Sequence, residues 1–137
     1  MAELPPTAFS KRIEVRWRDM DAFKHVNNSV YLTYLEEARD EWLGRTLGDP
    51  AQVWDYVVAR VAIDYKRELS LADDSVIARC RLESIGTSSL RTFEEVVTRD
   101  GEVSAAAEAV LVARDPETGR SRPLTDAERT ALERSTS

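Results

Sequence analysis

The chain has one histidine and one cysteine among its 137 residues, and each shortage removes a class of chemistry. A single cysteine forms no intramolecular disulfide, which fits a reducing compartment. With His25 as the only imidazole, and with neither a C-x-x-C nor an H-E-x-x-H spacing, a zinc site would need carboxylates for most of its ligands. The five glycines, at 44, 48, 86, 101 and 119, form neither a G-x-G-x-x-G turn nor a P-loop. No G-x-S-x-G elbow accompanies His25, so a Ser-His-Asp triad lacks its nucleophile turn. Basic residues are outnumbered, 19 against 25 acidic, and the net charge of -6 argues against a nucleic-acid surface. A few local Lys and Arg side chains could still hold an anionic group. No apolar run approaches the ~20 residues of a membrane helix. The first ten residues show neither the basic nor the apolar region of a signal peptide, so a cytoplasmic protein is expected.

What remains is rich in carboxylates and ordinary in its balance, 42% hydrophobic and 32% charged. That composition and length point to one globular domain spanning 1–137, with a leader at about 1–10 and a terminal helix and tail at 125–137. From Lys11 to Arg18 the pattern alternates: Ile13, Val15 and Trp17 share one face, which predicts a half-buried first strand. A helix begins at Asn28 or Ser29, either of which can cap it, and Gly44 or Gly48 ends it. Its buried stripe comprises Tyr31, Leu35, Ala38 and Trp42, with Tyr34 at the border, while Ser29, Thr33, Glu36 and Asp40 face water.

Beyond about Trp54 the period becomes two. Strands are expected over Val57–Tyr65, Val76–Glu83, about Leu90–Arg99 and Val103–Arg114, with Asp100-Gly101 turning the last hairpin. The alanines at 105, 107 and 109 would let a helix lie close to the sheet. Thr125 and Glu128 form a T-x-x-E capping box that opens a short helix from Asp126 to about Glu133. One long helix against five antiparallel strands is an α+β arrangement. An open sheet of this kind has edges that a symmetric partner could pair, so an oligomer is expected.

The reactive groups gather where the first strand enters the helix, in V-R-W-R-D-M-D-A-F-K-H-V-N-N. Asp19 and Asp21 could simply be loop acids that favour the positive helix end, a contribution of roughly 0.3–1 kcal/mol. Alternatively, one of them is a general base or nucleophile, kept ionised by nearby helix amides. His25 fits a loop hydrogen-bonding role as readily as a catalytic one. Asn27 and Asn28 are cap and turn residues, but free N–H groups at a helix start also bind a developing oxyanion. One well-placed donor of that kind contributes roughly 2.7–4 kcal/mol to a transition state. Cys80 shares a face with Val76, Ala78 and Leu82 and reads as a small core residue. Lys66, Arg67 and Arg91, near strand ends, could meet phosphates or could be surface charges.

The stretch D-M-D-A-F-K-H-V-N-N-S-V-Y-L-T-Y-L-E-E-A-R, residues 19–39, resembles the hotdog-fold acyl-CoA thioesterases of the 4-hydroxybenzoyl-CoA thioesterase type. The resemblance continues through D-Y-K-R-E-L-S-L-A-D-D at 64–74, I-G-T-S-S at 85–89 and D-P-E-T-G-R-S-R-P-L at 115–124. It implies a curved five-stranded antiparallel sheet wrapped around one long central helix. It also implies homodimers or homotetramers with active sites at the subunit interface. The catalytic carboxylate falls on Asp21, the carbonyl-polarising amide near Asn28, and His25 supports the loop. Asn27, Lys66, Arg67, Ser88 and Arg91 are the positions expected to meet substrate.

No metal or separate cofactor is implied, because coenzyme A is part of the substrate; an acyl carrier protein could replace it. This chain departs from the pattern at Lys24, where many relatives have Gly before the histidine. A backbone needing positive φ would be strained there, or Lys24 adds a charge near the substrate mouth. Glu68 and Ala72 stand where relatives have Pro and Gly, a change expected to alter a turn without touching the chemistry. Glu37 is the fallback, since some relatives use a helix glutamate. The expected reaction is acyl-CoA hydrolysis; the alternatives are an enoyl-thioester hydratase or dehydratase and a non-catalytic acyl-CoA binding module.

Overall fold

The computed structural model describes Leu4 and residues 8–136, so most of the expected leader lies outside the described residues. The elements run β1 (Phe9–Glu14), α1 (Asn28–Leu47), β2 (Tyr56–Tyr65), β3 (Ser75–Ile85), β4 (Ser89–Thr98), β5 (Val103–Ala113) and α2 (Asp126–Arg134), with short 3-10 turns at Trp17–Asp19, Pro50–Asp55 and Leu71–Asp73. The strands form one antiparallel sheet in the order β1-β3-β4-β5-β2. The long helix α1 lies on one face of it, chiefly over β3. This is the hotdog architecture implied by the sequence resemblance, with the short terminal helix in place.

Two expectations about the strands need correction. β1 begins at Phe9, inside the supposed leader, and stops at Glu14 rather than Arg18. Asp19 turns the chain: its amide donates to the Arg16 carbonyl at 3.0 Å and its carboxylate takes the Arg16 amide at 2.8 Å. Those bonds close a 3-10 turn, so Trp17 points outward at 81% exposure instead of joining Ile13 and Val15 inside. In β2 the register shifts between Val58 and Arg60, a bulge that breaks the strict alternation. Val57 and Val58 are consequently both exposed.

The helix follows its stripe closely. Tyr31, Tyr34, Leu35, Ala38, Trp42 and Leu43 are buried, each large aliphatic side chain contributing roughly 1.5–3 kcal/mol. Gly48, at φ +80°, ends α1, whereas Gly44 stays buried within it. The left-handed conformation at Gly48 is one that a side chain would strain. Ala105, Ala107 and Ala109 are fully buried on the inner sheet face, as is Cys80, whose thiol pKa is raised by burial and by the adjacent Glu94 charge.

The helix also buries a charge that the apolar pattern hides. Arg39 is 3% exposed and donates to both carboxylate oxygens of Glu94 on β4, each at 2.8 Å. Thr92 adds a third hydrogen bond to Glu94 at 2.6 Å. Such a bidentate pair tolerates burial because both carboxylate oxygens have a donor. At the far end, the Thr125–Glu128 capping box opens α2 as expected. Glu128 accepts Arg122 through both nitrogens and takes the Tyr56 hydroxyl in a short hydrogen bond, which ties α2 to the start of β2.

Candidate active site

The turn at Asp19 directs the chain across the N-terminus of α1, and the two acids of D-x-D separate there. Asp19 goes inward and is 1% exposed. Its carboxylate accepts the Arg16 amide, the Arg16 guanidinium and the Tyr34 hydroxyl at 2.7–3.1 Å. Burial alone would raise its pKa, but these hydrogen bonds outweigh burial and hold the carboxyl below its ordinary range. Burial and the same Asp19 charge push Tyr34 in the opposite direction, well above the usual phenol range. Every lone pair that matters on Asp19 is occupied, so its role is to fix the loop.

Asp21 takes the other course. Its amide donates to the His25 carbonyl at 2.9 Å and the Lys24 amide donates back to the Asp21 carbonyl at 3.0 Å, closing a tight turn. One carboxylate oxygen, Oδ1, accepts the Phe23 amide at 2.8 Å and the His25 amide at 3.3 Å. Among the described residues no hydrogen bond reaches Oδ2. To close this turn Lys24 adopts φ +64°. The left-handed region that the sequence flagged at this position is therefore occupied by a residue with a Cβ.

Asn27, rather than Asn28 or Ser29, is the N-cap: its side-chain oxygen accepts the Ser29 amide at 2.9 Å and the Ser29 hydroxyl at 2.7 Å. The Asn28 amide donates to no partner among the described residues, leaving it as one of the orphan donors that a helix start provides. Its carbonyl accepts the Tyr65 hydroxyl at 2.9 Å, which ties the helix start to the end of β2. Tyr65 stands edge-on to the buried Tyr31, with ring centroids 5.1 Å apart.

These groups surround a depression of about 420 Å³ lined by Asp21, Phe23, His25, Val26, Asn28, Tyr31, Tyr65, Lys66, Arg67 and Glu68. Asp21, His25, Asn28, Lys66 and Arg67 are thus brought together, with Asn27 at the cap beside them. The Arg67 guanidinium does not lie free: it is 3.0 Å from both Asp73 and Glu102. The Asp73 hydrogen bond is the largest cause of the upward shift in its pKa. Ser88 and Arg91 do not join this group within one chain. The Ser88 carbonyl accepts the Ala113 amide at 2.8 Å, and Arg91 is engaged in a short ion pair with Glu108. Glu37 is exposed on α1 and borders two other hollows, one with Lys11, Arg16 and Thr33 and one of about 1000 Å³ with Arg39, Trp54 and Tyr56.

Glu68 is expected from the sequence to alter a turn without touching the chemistry, and the structure gives it a further place. It lines the depression and its Oε2 lies 3.2 Å from His25 Nε2, so the Glu at this position does reach the candidate chemistry. Tyr65, Tyr31 and Phe23 were likewise legible only as core or surface aromatics, because nothing in their spacing marks the helix start as their neighbour. Among the described residues no three His, Cys, Asp or Glu side chains cluster as a metal site would require. Nor, among them, is any helix long and apolar enough to cross a membrane.

Residues 15–132 match the family described as the thioesterase-like superfamily. A long-chain acyl-CoA thioesterase, FadM of Escherichia coli K12, is 33% identical over 106 residues, covering 73% of this chain and 76% of that protein. A thioesterase of Thermus thermophilus, solved with coenzyme A and zinc, superposes with a TM-score of 0.84 at 37% identity, covering 92% of each chain. A thioesterase-superfamily protein of Jannaschia sp. CCS1 shares the fold at a TM-score of 0.86 and 20% identity, covering 98% of this chain and 96% of its own.

Proposed function

Because the chain belongs to the thioesterase-like superfamily, we propose that it hydrolyses an acyl-CoA thioester to the free acid and coenzyme A, with Asp21 as the reacting carboxylate. The observation that carries this reading is the division of labour on Asp21. Oδ1 is held by two amides, Oδ2 carries no hydrogen bond among the described residues, and the unpaired Asn28 amide borders the same depression.

Two routes use this geometry. In the first, Asp21 takes a proton from water as the water oxygen bonds to the thioester carbon. In the second, an Asp21 oxygen bonds to that carbon directly and water then cleaves the resulting anhydride. In both, the carbonyl oxygen becomes anionic and the Asn28 N–H stabilises it. The C–S bond breaks on collapse, and the thiolate leaves to take up a proton. The reaction consumes only water, so it calls for no redox cofactor. Asn27 fixes the helix start, while Lys66 places a positive charge at the rim where a phosphate-bearing thiol carrier would approach.

The β2 edge supports assembly as a homodimer or a dimer of dimers. Among the described residues β2 pairs only with β5, and its free side carries the exposed Val57, Val58 and Tyr65. An unpaired strand of this kind is closed most simply by a second copy across a two-fold axis. Pairing there would border the depression at Tyr65 and could bring Ser88 and Arg91 of a neighbouring copy towards it.

The test is thiol release from short-chain, long-chain and aromatic acyl-CoA esters, and from the matching acyl carrier protein thioesters, by wild type and Asp21→Asn. Release by wild type and its loss in the folded variant is the expected result. Retained release in Asp21→Asn would reject the assignment. Water addition to an enoyl-CoA without thiol release would replace it with the hydratase reading, and saturable binding without turnover with the binding-module reading.

A further inference from the structure

We propose that Glu68 is a positioning residue for this site: it holds the His25 imidazole across the depression and thereby fixes the turn whose amides bind Asp21. The inference rests on the reading of Asp21 given above. The depression has two walls, the helix-entry loop at 21–28 and the end of β2 with the segment after it at 65–68. Backbone bonds join them on the inner side, where the Val26 amide donates to the Leu69 carbonyl at 2.7 Å. On the outer side two side-chain links cross it, the Tyr65 hydroxyl donating to the Asn28 carbonyl at 2.9 Å and the 3.2 Å contact between His25 Nε2 and Glu68 Oε2, of which the second acts on His25 itself.

His25 contributes both of its backbone groups to the Asp21 turn. Its carbonyl accepts the Asp21 amide and its amide donates to Asp21 Oδ1 at 3.3 Å, the longer of the two bonds to that oxygen. Between them lies Lys24 at φ +64°, a conformation that favours relaxation of the turn unless its neighbours hold it. A carboxylate on Nε2 restrains the residue that follows Lys24. Both members of the pair are accessible, 41% for His25 and 75% for Glu68, so the contact adds little to global stability. Its effect is on geometry, where small displacements of a reacting group carry large rate penalties.

His25 is the only histidine in the chain, so its imidazole gives one unambiguous set of resonances in a ¹⁵N-labelled sample of the full chain. The experiment compares wild type, Glu68→Ala and Glu68→Gln by imidazole ¹H–¹⁵N shifts and by kcat and KM on the best ester of the acyl-CoA panel. Glu68→Ala is expected to move the imidazole shifts and to lower kcat about tenfold with KM within about twofold. Glu68→Gln, which keeps an acceptor, is expected to recover most of the rate. Unchanged imidazole shifts in Glu68→Ala would overturn the contact itself. Shifted resonances with unchanged kcat would overturn its role in positioning, and a rise in KM alone would reassign Glu68 to binding. Asp21→Asn run alongside separates the two readings. If that variant is inactive while Glu68→Ala turns over normally, only the Glu68 proposal falls; if it stays active, both fall.

Discussion

Asp21 and Glu128 are both carboxylates that accept backbone amides beside a helix start, yet the protein finishes them differently. Glu128, at the entry to α2, accepts the Thr125 amide, two Arg122 nitrogens and the Tyr56 hydroxyl. Burial would raise its pKa, but Arg122, the Thr125 amide and Tyr56 together lower it to about 2. Asp21, at the entry to α1, has two amides on one oxygen and nothing among the described residues on the other. A fully satisfied carboxylate is a fastening, since any proton or new partner must first displace an existing bond. A half-satisfied one is oriented and still able to react. The same contrast recurs within five residues of chain, where Asp19 is closed and Asp21 open.

Exchanging charge for neutrality at the two loop acids should break this contrast most visibly. Asp21→Asn is expected to lower turnover by about 10²–10⁴-fold with little change in thermal midpoint. Asp19→Asn should instead lose roughly 1–3 kcal/mol of stability, read from urea unfolding, because Arg16 and Tyr34 lose a charged acceptor. Equal stability losses in the two variants would erase the distinction.

The buried pair farther along α1 sharpens the same point. Arg39→Met leaves Glu94 charged and 0% exposed, and about 3–5 kcal/mol of stability should be lost in denaturant titrations. Replacing both partners with apolar residues of similar volume should recover much of that loss.

Acid provides the next test. Glu128 has its pKa depressed from 4.5 to about 2, so its stabilisation is complete above the ordinary glutamate range and fades as pH falls through that interval. Glu128→Gln should therefore cost on the order of 2 kcal/mol at neutral pH and flatten the decline of stability between about pH 4.5 and 2. A calorimetric midpoint series against pH reads both. The smallest effect is expected at Lys24, where Lys24→Gly should relieve the left-handed strain and gain about 1 kcal/mol in unfolding experiments. A loss of stability there would mean that the lysine side chain has a compensating contact.

Local rules made much of this legible in advance. The period-3.6 stripe located Tyr31, Leu35, Ala38 and Trp42, and period-two alternation located β3, β4 and β5 within about a residue or two at each end. The Thr125 capping box and the stop at Gly48 also depend only on near neighbours, whereas the positive φ at Lys24 was suggested by the resemblance to relatives with Gly there. The loop carrying Asp19, Asp21, His25 and Asn28 stood out because polar residues crowd a helix start. The outward turn of Trp17 did not, because alternation continues through Arg18 in sequence while Asp19 ends the strand by binding Arg16.

The sequence by itself determined the element order, the helix face that is buried, the capping box of α2 and the stretch where candidate reactive groups crowd a helix start, since each depends on spacing along the chain. Only the tertiary structure decided which acid is closed and which open, because that depends on Tyr34 reaching Asp19 from the next element. It likewise joined Arg39 to Glu94, 55 residues apart, and brought Glu68 to His25 across the depression. Charged groups this far apart in sequence leave no periodic trace. Their pairing is a consequence of strand order and register, which no local pattern encodes.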